Sequence, residues 1–459
     1  MRKVLLAATL VAILSGASAR GDARMDIRRD ATVRAVEKAA PAVVNISTEE
    51  IVRRGFFYGD EFFGDDPFFR QFVERFGTPM VANSLGSGGI FTPDGFVFTN
   101  AHVVNRASKI MVTLNDGSQH TADLVNVDLA NDVAVIRISR AKPFPTLVLG
   151  RSDDLMVGEK AIAVGNPFGL SNTVTSGVIS ALHREAAAEG RTLFKDLLQT
   201  DAVINPGNSG GPLLNVFGEV IGVNSAMAAG AQGIGFAIPV DAVKKSLSGL
   251  LDYRRLRRIR LGIGLKEQYT GTGPEAVLVV TRVEGVSAKA AGLAPGDVVT
   301  SVSGRPISSM VDFMAAVLLS PEGALRITAA RGSEDISAVI APVAIPKPDG
   351  AALAMSMMGL SVRQMDASLV RTVGIEVDQG IVVTRVAAGS TGEKTGLEPN
   401  DIILQVNDTL TSDMGSFAAA LEAGADGGTV SLVIIRRTGR VIRQYGAEVE
   451  IMRATKPLT

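Results

Sequence analysis

The C-terminal part of the chain repeats itself, and this repeat is the strongest constraint on the fold. The segment VVTRV at residues 279–283 recurs at residues 382–386, an offset of 103 residues (382 minus 279). The segment GLAPGDVV at residues 292–299 recurs as GLEPNDII at residues 396–403, an offset of 104 (396 minus 292). A period of about 100 residues is the size of a whole domain, so the pattern predicts two tandem copies of one domain rather than a solenoid of short units.

The sequence before the repeat indicates a β-rich domain. Short β-branched and apolar runs alternate there with clusters of Gly, Asn, Asp and Pro; the runs are AVVNIST, GFVFTNAHVV, KIMVTLNDGS, DVAVIRI, KAIAVG, TVTSGVIS, EVIGVNSA and GIGFAIP. Many short strands with regular turn signals are typical of an all-β barrel or sandwich. A helical spacing at residues 241–251 and an arginine-rich stretch at 254–260 follow, so we expect the first domain to end near there.

The N-terminus has the pattern of a secretory signal peptide. Arg2 and Lys3 precede an apolar run at residues 4–14, and three small residues end at Ala19. Because the run is shorter than the roughly 18 to 20 residues that span a bilayer, we expect export and cleavage after Ala19 rather than a membrane anchor. No later segment is apolar over such a length, so we expect a soluble mature protein without firm membrane association.

Length and composition exclude several classes of function. The chain of 459 residues is too long for one hydrophobic core, so two to four domains are expected. It has no cysteine, which excludes thiol catalysis, disulfides and cysteine-ligated metals. Its 46 basic and 47 acidic residues give a net charge of -1, so no overall field attracts nucleic acid, and we expect no nucleic-acid partner.

An aromatic segment, GFFYGDEFFGDDPFFRQFVERF at residues 55–76, has two interpretations. Eight of the eighteen phenylalanines lie in it among acidic residues and glycines, a concentration that scattered surface residues would not give. It is either a satellite hydrophobic cluster under a long loop, or a mobile aromatic loop that covers a site or joins subunits.

The stretch INPGNSGGPL at residues 204–213 is a turn, a phosphate cradle or a mount for a nucleophilic serine. A phosphate cradle requires a lysine after the glycines, or a strand followed by G-x-G-x-x-G and a helix, and neither is present. A nucleophilic serine requires a base, a carboxylate that orients the base, and donors for the oxyanion. Ser209 is the candidate nucleophile, and flexible Gly207 allows the amides of Gly207 and Ser209 to point at one spot.

The chain has three histidines, so few bases are available. His102 ends the strand-like run FTNAHVV, whereas His120 and His183 lie in polar, loop-like segments where a solvated histidine is the ordinary case. Asp132 directly precedes the strand-like DVAVIRI and suits a buried orienting acid, whereas Asp128 is expected in a turn.

The order His102, Asp132, Ser209 in a β-rich domain resembles that of the chymotrypsin-like serine proteases. The segments TNAHVV, NDVAVI, GNSGGPL, GVNSAM and GIGFAIP resemble the HtrA (Deg) family of exported proteases and chaperones, and the repeats resemble that family's PDZ domains. The resemblance implies His102 as general base, Asp132 as its orienting partner, Ser209 as nucleophile, and the Gly207 and Ser209 amides as oxyanion hole. It implies an all-β chymotrypsin-like double β-barrel followed by two α+β PDZ domains.

The resemblance divides the chain into four segments. They are a signal peptide at 1–19, a protease domain at 25–252 with an aromatic loop at 55–78, a first PDZ domain at 258–344 and a second at 356–452, after a linker at 345–350.

Substrate-binding residues follow from the same resemblance. It implies contacts to substrate from Asn208 and a primary specificity pocket near Ile204, Met227, Ala228 and Ile234. All four pocket residues are apolar and none is charged, so we expect cleavage after small or β-branched aliphatic residues.

Both repeats have a candidate peptide-binding loop. Leu261-Gly262-Ile263-Gly264 resembles the carboxylate-binding loop of a PDZ domain, in which successive amides form a nest for a terminal carboxylate and the adjoining strand edge pairs with the peptide. Residues 358–362, MGLSV, are the looser counterpart, so the second repeat either binds peptide or serves as a spacer or oligomer contact. The arginine-rich stretch is either a solvated connector or helps to hold the carboxylate.

The resemblance implies a periplasmic, ATP-independent serine endopeptidase that acts on unfolded or damaged proteins and their exposed C-termini. It implies homo-oligomers, as trimers or cages built from trimers, and calls for no metal or organic cofactor. Two other functions share these motifs: a chaperone whose protease is resting, and a PDZ scaffold with an inert barrel.

Overall fold

The computed structural model describes residues 28–50, 82–105, 107–166, 173–188, 191–205, 207–227, 233–271, 273–366, 369–370, 379–407, 409–425, 428–439 and 441–451. The predicted signal peptide at 1–19 and the aromatic loop at 55–78 lie outside these residues. The chain divides into two compact units, Met1–Ala344 and Ile345–Thr459, and each is described by itself.

The first unit begins with a helix and a closed six-stranded barrel. Helix α1 (Ala31–Ala39) starts at Asp30, whose side chain accepts a hydrogen bond from the Val33 amide (2.9 Å), and a short 3-10 helix (Ala40–Ala42) follows. The barrel strands are β1 (Val43–Glu50), β2 (Ala82–Ile90), β3 (Phe96–Thr99), β4 (Lys109–Thr113), β5 (Gln119–Asp128) and β6 (Val133–Arg137). They close in the order β1-β2-β3-β6-β5-β4, and helix α2 (Ala101–Val104) follows β3.

A second barrel follows in the same unit. Its strands are β7 (Val148–Leu149), β8 (Lys160–Gly165), β9 (Thr173–Ala188), β10 (Arg191–Thr200), β11 (Pro212–Leu214), β12 (Glu219–Met227) and β13 (Gly235–Pro239). The order β11-β8-β9-β10-β13-β12 closes because β11 also pairs with β12, while β7 joins β12 in parallel. The two barrels confirm the predicted all-β chymotrypsin-like architecture.

Strand β6 shows how the sequence pattern sets the core. Residues Val133, Ala134, Val135 and Ile136 are all buried, as expected for a continuous apolar run covered on both faces rather than an alternating one. Helix α3 (Val240–Leu250) packs against this strand and lies within one residue of the predicted helix. Residue 132 therefore directly precedes a strand whose first four residues are buried.

The first repeat folds as a sheet with helices and belongs to the same unit. Its elements are α4 (Tyr253–Leu256), β14 (Ile259–Arg260), β15 (Ile263–Tyr269), β16 (Ala276–Val283), α5 (Val286–Ala290), β17 (Val298–Val302), β18 (Arg305–Pro306), α6 (Met310–Leu319), β19 (Leu325–Arg331), β20 (Glu334–Ile340) and β21 (Val343–Ala344). The main sheet has the order β15-β16-β17-β19-β20, and β18 pairs with β17.

The second repeat has the same topology. Its elements are α7 (Gly350–Met358), β22 (Leu360–Gln364), β23 (Ile381–Val386), α8 (Thr391–Lys394), β24 (Ile402–Val406), β25 (Thr409–Leu410), α9 (Met414–Gly424), β26 (Thr429–Thr438) and β27 (Val441–Glu450). The sheet order β22-β23-β24-β26-β27, with β25 beside β24, matches that of the first repeat strand for strand. The repeated motifs therefore mark two copies of one fold, as predicted; the domain boundaries stay a prediction.

Among the described residues, no helix combines the length and the apolar character needed to cross a membrane.

The repeated GLxPxD motif forms the same ion pair in both copies, with a buried aspartate and a more exposed arginine. In the first, Arg331 Nε and Nη2 donate to the two oxygens of Asp297 (2.7 and 2.9 Å), and Nη2 also donates to the Gly292 carbonyl (2.8 Å). In the second, Arg436 donates to Asp401 (2.6 and 2.7 Å) in the same bidentate way. A bidentate pair fixes two planar groups at once, so each clamp ties its motif to a strand more than 30 residues later.

We expect the first clamp to make stability depend on pH. Its hydrogen bonds from Arg331 hold the pKa of Asp297 below the usual value of 3.8. A carboxyl group with a lower pKa in the folded than in the unfolded state stabilises the fold above the unfolded pKa, and this contribution is lost as pH falls through the folded pKa. In calorimetry of the full chain, Asp297→Asn should therefore lower one unfolding midpoint by several degrees at pH 7, and the difference should shrink toward pH 3.

The matched control is Asp335→Asn, which removes the same charge from an exposed position on β20. It should leave the midpoint nearly unchanged at every pH. A difference for Asp297→Asn that stayed constant between pH 7 and pH 3 would contradict the ion-pair explanation.

Candidate active site

Ser209 lies in a tight loop directly before strand β11. Gly207 and Gly210 have φ angles of 96° and 81°, in the left-handed region that glycine adopts without steric cost. The Gly211 amide donates to the Asn208 carbonyl (2.9 Å), which closes the turn around the serine. A side chain at position 211 has no room, because its Cβ would lie 2.4 Å from a backbone carbonyl of β8. The backbone angles at Gly207 and Gly210 and the lack of space at Gly211 thus explain why glycines surround the serine.

His102 is carried by the short helix α2 at the end of β3. Its Nδ1 lies 2.8 Å from Asp132 Oδ2 and 3.0 Å from Oδ1, and its backbone amide donates to Oδ1 (3.0 Å). A carboxylate accepts only, so Nδ1 carries the proton, and Nε2 of the neutral ring is left with a lone pair. The arrangement gives the imidazole the tautomer that a general base needs.

Asp132 is buried in the turn between β5 and β6, with 2% exposure. Its φ angle of 51° is left-handed, a conformation that aspartate tolerates better than most residues. The side-chain amide of Asn100 donates to the Asp132 carbonyl (2.9 Å). Asn100 is also the residue directly before α2, so its side chain links the turn that carries Asp132 to the helix that carries His102.

Ser225 joins the proposed nucleophile to the acid. Its hydroxyl donates to Asp132 Oδ2 (3.0 Å), and its carbonyl accepts a hydrogen bond from Ser209 Oγ (3.1 Å). The side chains of His102, Asp132 and Ser209 are therefore brought to one place, although the Ser209 proton is directed at a carbonyl. In the sequence, Ser225 lies in the segment GVNSAM, which does not by itself indicate this role.

Three of the four residues predicted to line the specificity pocket lie near Gly235. Ile204 is buried and packs on β13, because a Cβ at Gly235 would lie 2.8 Å from its Cδ1. Ile234 is half-buried and precedes Gly235, and Gly235 pairs with Met227 in the sheet. The backbones of Ile234 and Met227 and the side chain of Ile204 therefore lie beside Gly235, and the pocket itself stays a prediction.

Asn208 and Ala228 are the other two predicted substrate contacts in this domain. Asn208 is buried with 2% exposure beside Ser209 in the loop. Ala228 lies outside the described residues. Their predicted contacts with substrate stay a prediction.

The remaining histidines and Asp128 have ordinary surroundings. His120 and His183 lie in strands β5 and β9, so the expectation of loop positions was wrong. His183 has 82% side-chain exposure and pairs with Asp196 on β10 (2.5 Å). Asp128 ends β5 and its Oδ1 accepts from the amide three residues later, as expected for a turn residue.

The candidate carboxylate loop of the first repeat leads into an edge strand. Leu261 is buried, and Gly262 has a φ angle of 70° with its carbonyl accepting from the Glu284 amide (2.8 Å). Ile263 and Gly264 begin β15, which is the terminal strand of its sheet. An edge strand offers backbone groups to an added strand, as peptide binding by this mode requires.

The second repeat has the same backbone at the corresponding glycine. Gly359 has a φ angle of 71°, and its carbonyl accepts from the Ala387 amide (2.8 Å). The two loops therefore share a conformation although their sequences match only loosely.

One arginine of the basic stretch has a structural role. Arg257 Nη1 donates to the Val317 and Ser320 carbonyls (2.6 and 2.9 Å) at the C-terminal end of α6. A cation is favourable there because the last carbonyls of a helix lack backbone partners. Arg257 therefore caps a helix, which is neither of the two predicted uses of the stretch.

Three family models match the chain. Residues 86–223 match the trypsin-like peptidase domain, and residues 250–330 and 382–436 each match the PDZ domain. The matched ranges overlap the two barrels and each of the two repeats.

Curated relatives match over most of their length. The probable periplasmic serine endoprotease DegP-like of Chlamydia trachomatis serovar D is 38% identical over 405 residues, 82% of this chain and 80% of the relative. The protein of the same name from Hahella chejuensis is 34% identical over 429 residues, 88% of this chain and 90% of the relative. Among solved structures, the HtrA-type protease AlgW with tripeptide is 33% identical, covering 70% of this chain and 99% of that one, with a TM-score of 0.39.

Sequence identity at this level over four fifths or more of each relative establishes common family membership. The peptidase and PDZ matches agree with the double barrel and the two repeats in order and position. The chain therefore belongs to the HtrA family of DegP-like serine endoproteases, with a trypsin-like peptidase domain followed by two PDZ domains.

Proposed function

We propose that the protein is an ATP-independent periplasmic endopeptidase that degrades unfolded or damaged proteins through an acyl-enzyme. The observation that carries this proposal is the bond between His102 Nδ1 and Asp132 (2.8 Å), beside a serine on a glycine-rich loop. Curated relatives are named periplasmic serine endoproteases, which supports both the chemistry and the compartment.

In the proposed reaction, Ser209 Oγ attacks the scissile carbonyl carbon and its proton moves to His102 Nε2. The protonated imidazole then gives that proton to the leaving amine as the C–N bond breaks, and the acyl group stays on Ser209. In the second half, a water molecule gives a proton to His102 Nε2 while its oxygen attacks the ester carbon. The bond from that carbon to Ser209 Oγ then breaks, Ser209 takes the proton back from His102, and the acid product leaves. Asp132 stabilises the imidazolium in both halves.

The Gly207 and Ser209 amides are the proposed oxyanion donors. The left-handed φ of Gly207 supports this role, because it lets successive amides in the loop face one side. Fixed donors stabilise the developing negative charge without the reorganisation that water would need.

The proposed primary pocket accepts small or β-branched aliphatic side chains. Ile204 packs against Gly235, and Ile234 and Met227 flank the same glycine, so the described part of the pocket is apolar. A lysine or arginine side chain there would lose its hydration without gaining a countercharge.

The first PDZ domain is proposed to capture exposed C-termini, with its Leu261–Gly264 amides holding the carboxylate and β15 pairing with the peptide. Support comes from the left-handed Gly262 and the edge position of β15. We further propose a homo-oligomer built from trimers and a chaperone activity, both on the strength of family membership alone.

One observation favours a second candidate, a chaperone whose protease is resting. Ser209 Oγ donates to the Ser225 carbonyl, and a hydroxyl has one proton, so in this geometry it cannot also donate to His102. Attack therefore requires rotation of the Ser209 side chain first.

Cleavage mapping of an unfolded substrate tests the main proposal. Mature protein is incubated with reduced casein, and mass spectrometry identifies the cut sites, with Ser209→Ala as the control. We expect most cuts after valine, isoleucine, alanine or similar residues, and none with the control. A substrate with an amidated C-terminus should be degraded more slowly, because an amide lacks the charge that the PDZ nest binds.

The pocket, the C-terminal capture and the protease activity can each be contradicted separately by this experiment. Cuts after lysine or arginine would contradict the apolar pocket. Equal rates for amidated and free C-termini would contradict C-terminal capture. No cleavage by either protein, with both suppressing aggregation, would favour the chaperone.

A further inference from the structure

Strand β2 has a polar residue where a barrel core would ordinarily be apolar. Ser87 lies in the middle of this strand, between Gly86 and Gly88, and is fully buried. A buried hydroxyl is costly unless both its proton and its lone pairs find partners. The hydrogen-bond partners of Ser87 therefore indicate its structural role.

The Ser87 hydroxyl connects the two barrels at the nucleophile loop. Ser87 Oγ donates to the Gly207 carbonyl (2.5 Å) and accepts from the Asn166 amide at the end of β8 (2.8 Å). Asn166 is held in turn, because its carbonyl accepts from the Asn45 side-chain amide (2.7 Å). A chain of hydrogen bonds thus runs from β1 of the first barrel, through β8 of the second, to Gly207.

Ser87 also holds the other end of the loop through its backbone. Its amide donates to the Ser209 carbonyl (2.8 Å), and its own carbonyl accepts from Thr99 Oγ1 (2.7 Å). One residue therefore fixes the carbonyls of Gly207 and Ser209, and the Ser209 amide lies between them along the backbone.

The Gly207 carbonyl needs such an anchor more than most carbonyls. Glycine restricts its own backbone angles weakly, and Gly207 already has a φ of 96°. The plane of the peptide after Gly207 is therefore set by its hydrogen bonds rather than by side-chain sterics. Without the Ser87 hydroxyl, the Gly207 carbonyl and the Asn166 amide would both be buried without that partner, and the loop would turn to satisfy them.

We propose that Ser87 is a positioning residue for the oxyanion hole: its hydroxyl fixes the peptide between Gly207 and Asn208, which lies between the Gly207 and Ser209 amides, so that these two amides converge on the developing oxyanion. The inference rests on the proposed function of this loop. Ser87 touches no reacting atom and acts through the backbone of residues 207–209.

An isosteric pair of variants isolates the hydroxyl. Ser87→Thr keeps it and Ser87→Val lacks it, while both add bulk to the same site. We expect kcat of Ser87→Val to be about 10- to 100-fold below that of Ser87→Thr, part of the loss that removal of a whole oxyanion donor causes. KM for a chromogenic peptide should differ little between them, because ground-state binding does not use the oxyanion hole.

A transition-state analogue gives a second readout. A peptide boronate forms a tetrahedral adduct with the serine oxygen, so its inhibition constant should rise for Ser87→Val in parallel with the fall in kcat/KM. A purely structural role for Ser87 would lower the unfolding midpoint without this parallel change.

The matched control is Thr200→Val in β10. Thr200 is equally buried, and its hydroxyl likewise donates to a carbonyl, that of Val178 (2.8 Å), and accepts from an amide, that of Ala202 (3.1 Å). It should lose similar thermal stability while kcat stays close to that of the natural protein.

Two results would overturn the proposal: equal kcat for the Thr and Val variants at position 87, or a kcat loss for Thr200→Val as large as that for Ser87→Val. Failure of the proposed function is distinguishable, since then the natural protein and Ser209→Ala would be equally inactive. If Ser87→Val does not fold, Ser87→Ala against Ser87→Thr makes the same comparison.

Discussion

Replacing Ser209 with alanine should reduce kcat for an unfolded substrate by roughly a millionfold, the size of loss seen when one member of such a triad is removed. The reason is chemical, because no other group in the loop can form the acyl bond. The fold should remain intact: Ser209 Oγ makes its hydrogen bond to the Ser225 carbonyl at a partly buried position, and its removal leaves no cavity of consequence. Single-turnover kinetics with a chromogenic peptide would measure the loss.

The same experiment tests whether the residues act as one unit. His102→Ala should lose about as much as Ser209→Ala, and the double variant should lose hardly more than either, because each removal disables the same step. Circular dichroism and thermal unfolding of each variant serve as controls. Losses that multiply in the double variant would contradict a triad, as would cleavage by Ser209→Ala at more than a trace of the natural rate.

Asp132→Asn should lower kcat by about 10⁴-fold while the protein stays folded. Asparagine tolerates the left-handed backbone at this position, where φ is 51°, so the turn is preserved. The carboxylate, however, accepts from the His102 amide, from His102 Nδ1 and from the Ser225 hydroxyl. An amide has one oxygen for these donors, and its NH₂ group, if turned toward Nδ1, forces the proton onto Nε2, where it blocks base catalysis.

Ser225→Ala is the comparison variant for Asp132→Asn. It removes one hydrogen bond to the carboxylate but leaves the charge and the Nδ1–H tautomer, so its loss in kcat should be much smaller. The pH dependence of kcat/KM and the unfolding midpoint should be measured for both. A loss below about tenfold for Asp132→Asn would show that Asp132 does not set the tautomer, since a wrong tautomer disables the base altogether.

The sequence was informative where a local segment determines the geometry. Short motifs around His102, Asp132 and Ser209 identified the three side chains, and the structure brings them together. The strand-like runs predicted an all-β barrel or sandwich, because turn signals and β-branched runs act over a few residues, whereas the double barrel was implied by the resemblance to the HtrA family. The internal repeat predicted two copies of one fold, because its period of about 100 residues is the size of a whole domain.

The supporting residues could not be predicted because their partners are distant in sequence. Ser87 bonds to a carbonyl 120 residues later, and Ser225 to a carboxylate 93 residues earlier. Asn100 contacts a carbonyl 32 residues away. Serine and asparagine have no periodic signature, and a hydrogen bond to a backbone group leaves no mark on the partner's residue type.

The Asp–Arg ion pairs of the two PDZ domains could also be predicted only in part from the sequence. Asp297 and Asp401 belong to an obvious repeated motif, whereas Arg331 and Arg436 lie in strands whose sequences otherwise differ. Only the pairing of β17 with β19, and of β24 with β26, brings each arginine to its aspartate.

The hydrogen bond from Ser209 to the Ser225 carbonyl has a consequence for the time course of the reaction. Leaving that bond takes rotation of one side chain, which for a partly exposed residue occurs within picoseconds to nanoseconds. Turnover is slower by many orders of magnitude, so the hydroxyl exchanges partners countless times within one catalytic cycle. A lag of milliseconds or longer seen on mixing with a fluorophosphonate label would therefore not originate in this side-chain rotation.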